Sequence, residues 1–133
     1  MSGKKILIID DDQYLLLGLT ARLKANDYSV ICASDGISAI TMARSEAPDL
    51  VILDLGLPAG DGFTVLERMR SLAGLMPIPV IVLSAADPMG NEKRALDAGA
   101  VAFFQKPPNN HEFLTAIRQA LGENVALSNF LKT

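Results

Sequence analysis

The chain is poor in the features that mark secreted, membrane-spanning or nucleic-acid-binding proteins. It has one cysteine, no tryptophan and only 5% aromatic residues among its 133. A lone Cys32 excludes an internal disulfide and argues against a cysteine-based metal site, which fits a reducing cytoplasm. The longest apolar stretch, Gly74 to Ala86, is broken by Pro77 and Pro79 and is too short to cross a bilayer. Near the N-terminus, Lys4 and Lys5 precede only Ile6, Leu7, Ile8 and Ile9 before Asp10, Asp11 and Asp12 intervene, and no signal-peptide core tolerates that. The expectation is a chain neither secreted nor membrane-anchored. Clustered basic charge is also missing. Twelve Lys and Arg against fifteen Asp and Glu leave a net charge of −3, so there is no surface for neutralising nucleic-acid phosphates or docking on anionic lipid.

What is present is enough apolar residue, half of the total, for one ordinary domain that buries roughly two thirds of the surface its unfolded chain exposes. Short β-branched or leucine-rich runs recur along it: Ile6 to Ile9, Tyr28 to Cys32, Leu50 to Leu53, Ile78 to Leu83 and Val101 to Phe104. Several lack polar alternation, as strands covered on both faces do. Between them lie residues at helical spacing: Leu16, Leu19 and Leu23; Ile37, Ile40 and Ala43; Leu66, Met69 and Leu72; Phe113, Ile117 and Leu121. Asp35 and Asp61 stand where N-caps belong, Asn109 with Glu112 resembles a capping box, and Pro48 and Gly99 stand where helices should stop. A (βα)5 order predicts a doubly wound α/β fold with a parallel five-stranded sheet and right-handed crossovers. One domain is expected over residues 1–121, with 122–133 as a C-terminal extension or the start of a linker.

In an open parallel sheet the ligand crevice lies beyond the carboxyl ends of the strands, where strand order reverses. Strand 1 ends in Asp10-Asp11-Asp12, strand 3 in Asp54, strand 4 in Ser84 and strand 5 just before Lys106, whereas strand 2 ends in Cys32-Ala33-Ser34. If the polar ends share one site, strands 1, 3, 4 and 5 are contiguous and strand 2 is an edge, which gives the flavodoxin-like order 2-1-3-4-5. Carboxylates gathered there repel by about 3 kcal/mol per close pair at ~5 Å. A hard cation offsets this, and few carboxylates with room for water suit Mg²⁺ better than Ca²⁺. Adding a hydroxyl and an ammonium produces a set suited to a phosphoryl group.

Taken singly, these residues have plainer roles. An aspartate after a strand is commonly a turn or helix cap, and Asp12 above all. Gly56, Pro58, Gly60 and Gly62 make a tight loop, Asp61 caps a helix, His111 is a surface residue and Cys32 a small buried hydrophobe. Phe103 is either plain core or a partly exposed aromatic. Lys106-Pro107 is a turn of fixed φ, trans or cis.

Together, the acidic doublet after strand 1, Asp54 within Leu53-Asp54-Leu55-Gly56-Leu57-Pro58, the Ser84-Ala85 pair and Lys106-Pro107 resemble the response-regulator receiver domain, the phosphoacceptor module of two-component signalling. The resemblance runs from Lys4 to about Leu121. It implies Asp54 as the phosphoryl acceptor. It further implies Asp11, Asp54 and the Gly56 backbone carbonyl as Mg²⁺ ligands, with Asp10 acting through water. Ser84 and Lys106 would hold phosphoryl oxygens, and Phe103 would be the switch aromatic. The implied partners are a sensor histidine kinase or phosphotransfer protein, and a downstream protein read by the α4-β5-α5 face. The resemblance also implies that the domain itself contacts neither nucleic acid nor membrane, is a monomer or weak dimer, and catalyses only its own phosphorylation and dephosphorylation. The chain departs from the family pattern in three ways. Phe103 replaces the commoner tyrosine, and Pro108 a frequent phenylalanine. Val101-Ala102 stand where DNA-binding members often carry acids for charged dimer contacts.

The enzyme alternative is a haloacid-dehalogenase-like phosphohydrolase, with Asp10 as nucleophile and Asp12 as acid/base. Against it, Tyr14 stands where threonine or valine is usual, no acidic motif follows Lys106, and the length leaves no room for a cap domain. A flavodoxin-like FMN carrier needs a phosphate-cradling loop where this chain places three anions. A phosphorylation-independent interaction domain has no need of every acidic, hydroxyl and lysine position being filled.

Overall fold

Strands and helices alternate along the chain in the computed structural model, which describes residues 3–57, 62–71 and 78–123. In order they are β1 (Lys5–Ile9), α1 (Gln13–Ala25), β2 (Ser29–Ala33), α2 (Gly36–Glu46), β3 (Leu50–Leu53), α3 (Gly62–Arg70), β4 (Val80–Ser84), α4 (Pro88–Asp97), β5 (Ala102–Gln105) and α5 (Asn110–Ala120). The sheet is parallel throughout, in the order β2-β1-β3-β4-β5. The predicted doubly wound topology is therefore the observed one, with β1 between β2 and β3 at the point where strand order reverses.

Alternate residues of each strand feed two apolar layers. Ile6, Ile8, Leu50, Ile52, Ile81 and Leu83 pack against Leu16, Leu19 and Leu23 of α1 and Phe113 and Ile117 of α5. On the other face Leu7, Ile9, Val51, Leu53, Val80 and Val82 meet α2, α3 and Ala95 of α4. Each fully buried Ile or Leu stabilises by roughly 1.5–3 kcal/mol, so these two layers fasten the helices to both faces of the sheet.

Helix boundaries follow the caps. Asp12 accepts from the amides of Tyr14 (3.0 Å) and Leu15 (3.2 Å), Asp35 from that of Ser38 (2.8 Å), and Asn109 from that of Glu112 (3.0 Å). The Ser38 amide, with its hydroxyl, holds the Asp35 carboxyl below its ordinary pKa. Ala47, left-handed at φ 45°, closes α2 just before Pro48, and Gly99, at φ 111°, follows α4.

Several expectations are corrected. Ile37 is 75% exposed, because the inward stripe of α2 is Gly36, Ala39, Ile40 and Ala43. Cys32 is half-buried rather than buried, on the edge strand, with its sulfur 3.6 Å from the Thr20 hydroxyl. Tyr28 precedes β2, with its ring buried and its hydroxyl donating to Glu123 (3.2 Å). β4 starts at Val80, since Pro79 has no N–H to give the ladder. Val101 lies just outside β5 and is exposed. Leu72, Pro58, Gly60, Asp61 and residues 124–133 lie outside the described residues.

Candidate functional site

The backbone ladder continues one step past the strands and fixes the residues at their ends. Asp10 N–H donates to Ala33 O (3.0 Å), Asp54 N–H to Ile9 O (2.9 Å) and Lys106 N–H to Ser84 O (2.9 Å). Asp10, Asp54, Ser84 and Lys106 thus meet at the carboxyl edge of four contiguous strands, on main chain that cannot shift without breaking sheet hydrogen bonds. Asp10, Asp54 and Ser84 are the buried polar residues among those described, with Asp10 only 2% exposed.

Lys106 Nζ lies 2.8 Å from Asp10 Oδ2 and 3.6 Å from Asp54 Oδ2. The Asp12 amide donates to Asp10 Oδ1 (2.9 Å) and the Gly56 amide to Asp54 Oδ1 (3.2 Å). Burial raises the Asp10 carboxyl above its ordinary pKa, outweighing the hydrogen bonds from Lys106 and the Asp12 amide that pull it down. For Lys106, burial pulls the other way, but the hydrogen bond to Asp10 and the charges of Asp10, Asp54 and Asp12 prevail and raise the ammonium pKa. Lys106 is therefore a fixed cation at neutral pH.

Carboxylate oxygens of Asp10, Asp11 and Asp54 all lie within 4.8 Å of one another, with Asp11 exposed and the other two buried. One lysine cannot neutralise three carboxylates, and the donors are hard oxygens, so these residues fit a small divalent cation such as Mg²⁺. Ser84 Oγ accepts from the Ala86 amide (3.2 Å) at the end of the neighbouring strand. Phe103 is half-buried against the α2-α3-α4 layer, in register with Val82. His111 is exposed in the first turn of α5, as the sequence suggests. Asp12 does cap α1, its carboxylate taken up by the Tyr14 and Leu15 amides, which disfavours it as the acid/base of the hydrolase alternative. The Lys106-Pro107 bond is cis.

Sequence reasoning missed why Gly62 matters. A Cβ there would sit 2.5 Å from Leu55 Cα, so only glycine lets the start of α3 press against the segment leaving Asp54. The contact joins residues distant in sequence, and only the run of glycines hinted at it.

A family model described as the response regulator receiver domain matches residues 6–118. The transcriptional regulatory protein KdpE of Mycobacterium tuberculosis (strain ATCC 25618 / H37Rv) is 43% identical over 121 residues, covering 91% of this chain and 52% of that protein. Response regulator MprA of Mycobacterium leprae is 36% identical over 132 residues, covering 93% of this chain and 57% of that protein. This chain thus spans about half the length of the curated relatives it matches. Among solved structures, the BeF3-activated N-terminal receiver domain of Klebsiella pneumoniae RstA superposes with a TM-score of 0.82 at 29% identity, over 88% of this chain and 97% of that one. The receiver domain of the Pseudomonas aeruginosa PAO1 sensor histidine kinase PA1611, with a magnesium ion in its active-site cleft, gives 0.81 at 26%, over 91% and 99%. The family model, the relatives, the strand order and the acidic edge agree, and the chain belongs to the response regulator receiver domains of two-component systems.

Proposed function

We propose that Asp54 is the phosphoryl acceptor of a receiver that takes its phosphoryl group from a phosphohistidine on a sensor histidine kinase or phosphotransfer protein. The observation that carries this reading is the placement of Lys106 against both Asp10 and Asp54 at a buried, acidic strand edge. An Asp54 oxygen attacks phosphorus, the P–N bond to the donor imidazole breaks as the P–O bond forms, and the imidazole keeps the electron pair. Later a water attacks phosphorus, the acyl P–O bond breaks, and carboxylate and inorganic phosphate are restored. Catalysis is of these two steps on the chain itself.

Asp11, Asp54 and the Gly56 carbonyl would hold Mg²⁺, with Asp10 acting through water. Bound there, the ion supplies positive charge that neutralises phosphoryl oxygens as the donor leaves. Lys106, already held at the sheet edge, neutralises a further oxygen, and the Ser84 hydroxyl turns to donate to another. Phe103, beside Val82 and close in sequence to Lys106, is the aromatic whose packing changes when Ser84 turns toward the phosphoryl group. A downstream protein then reads the face made by α4, β5 and α5.

The unit that does this is residues 1–121, with 122–133 an extension or linker, acting in the cytoplasm as a monomer or weak dimer and touching neither nucleic acid nor membrane itself. Among the described residues no helix is long and apolar enough to cross a membrane.

Acetyl phosphate with Mg²⁺ should add one phosphoryl group to the wild type, and Asp54→Asn should abolish the addition, as read by intact-mass spectrometry. An unmodified wild type, or full modification of the variant, refutes the assignment.

A further inference from the structure

α4 is held unlike the other helices. Of its residues Pro88–Asp97 only Ala95 is buried, whereas α3 buries Gly62, Phe63, Val65, Leu66 and Met69. Its first turn is not helical, with Met89 at ψ 112° and Gly90 at φ 82°, and Met89 is 87% exposed. An apolar stripe one alanine wide is a thin hold for a helix, although α4 does pack on β5.

Two arginines add to that hold, one reaching in each direction. Arg94 of α4 lies over the ring of Phe63, with its guanidinium carbon 3.7 Å from the ring centroid. Arg70, the last residue of α3, returns the contact by donating to the carbonyl of Ala98, the α4 C-cap (3.0 Å). Its stem lies where a Cβ on Gly99 would be, so glycine at the end of α4 is required for the second contact. The first contact leads back to the acceptor. Phe63 follows Gly62, whose amide donates to Leu55 O (3.3 Å) and whose Cα abuts the Leu55 backbone, and Leu55 follows Asp54.

We infer that α3 holds α4 through this arginine clasp, Arg94 on Phe63 and Arg70 on the Ala98 carbonyl, and that the Arg94–Phe63 stack is the joint through which the state of Asp54 reaches α4. The first half needs only the geometry; the second rests on the proposed role of Asp54. Arg94 is a positioning residue and touches no reacting atom. Arg94 is an exposed residue, so replacing it leaves the buried apolar layers in place.

Hydrogen exchange measured by mass spectrometry on the whole chain separates the halves. Without phosphodonor, Arg94→Ala should speed exchange of the α4 amides about five- to tenfold while α1 and α5 stay as in wild type; Arg94→Lys, keeping a cation at the ring, should recover part of the protection. Unchanged α4 exchange in Arg94→Ala overturns the clasp. With acetyl phosphate and Mg²⁺, at equal modification verified by intact mass, wild-type α4 exchange should rise, and Arg94→Ala and Phe63→Leu should show less than half that rise. A full response in both variants overturns the joint. If the wild type takes up no phosphoryl group, the reading of Asp54 fails and the joint with it, while the donor-free arm still decides the clasp.

Discussion

Two lysines at opposite ends of the same sheet make ion pairs of almost equal length. Lys5, opening β1 at the amino edge, lies 2.9 Å from Glu46 Oε2, and its amide also donates to Asp49 Oδ2 (2.8 Å). Lys106, beyond β5 at the carboxyl edge, lies 2.8 Å from Asp10 Oδ2. The partners differ in burial: the Glu46 side chain is 44% exposed and that of Asp10 is 2%. Water screens the first pair and barely reaches the second, so distance alone says little about what a charge pair does. The first edge has cation and anions in solvent; the second has a buried excess of negative charge that folding alone does not explain and that the proposed binding of a divalent cation would offset.

The widest separation between the two should come from removing each cation. Lys106→Ala strands Asp10 and Asp54 and should cost about 3 kcal/mol of stability by urea denaturation. Calorimetry should find its Mg²⁺ affinity within about threefold of wild type, since the lysine is no ligand, while phosphorylation no longer changes partner binding. Lost Mg²⁺ binding would make Lys106 part of the metal site instead. A smaller effect comes from pH. The folded Asp10 carboxyl titrates above its unfolded value, so protonation favours the fold, and the stability of the metal-free protein should fall as pH rises from about 4 through the folded pKa. Asp10→Asn should flatten that stretch of the stability profile, and an unchanged slope would assign it to another group. Least affected should be Lys5→Ala, at about 0.5 kcal/mol or less; a loss matching that of Lys106→Ala would dissolve the contrast.

The carboxyl edge was legible in the sequence because parallel strands buried on both faces read as unbroken apolar runs, so the residue that ends each run marks the edge. Asp10, Asp54, Ser84 and Lys106 are legible for that reason, and the strand order followed from asking that they meet. Helix faces were less legible. Ile37 fits a helical period yet faces out, because the stripe of α2 is set by the small residues Ala39 and Ala43 that let it approach the sheet. Contacts between elements were not legible at all: nothing local to Arg94 or Phe63 announces the stack they make, nor to Tyr28 its hydroxyl's bond to Glu123.

The central claim is that the anionic edge exists to carry a phosphoryl group on Asp54. Its most direct test is to treat the protein with acetyl phosphate and Mg²⁺, reduce the acyl phosphate with borohydride, digest, and locate the reduced residue by mass spectrometry. The account predicts the mark on Asp54 alone. A mark on Asp10, Asp11 or Asp12 would contradict it.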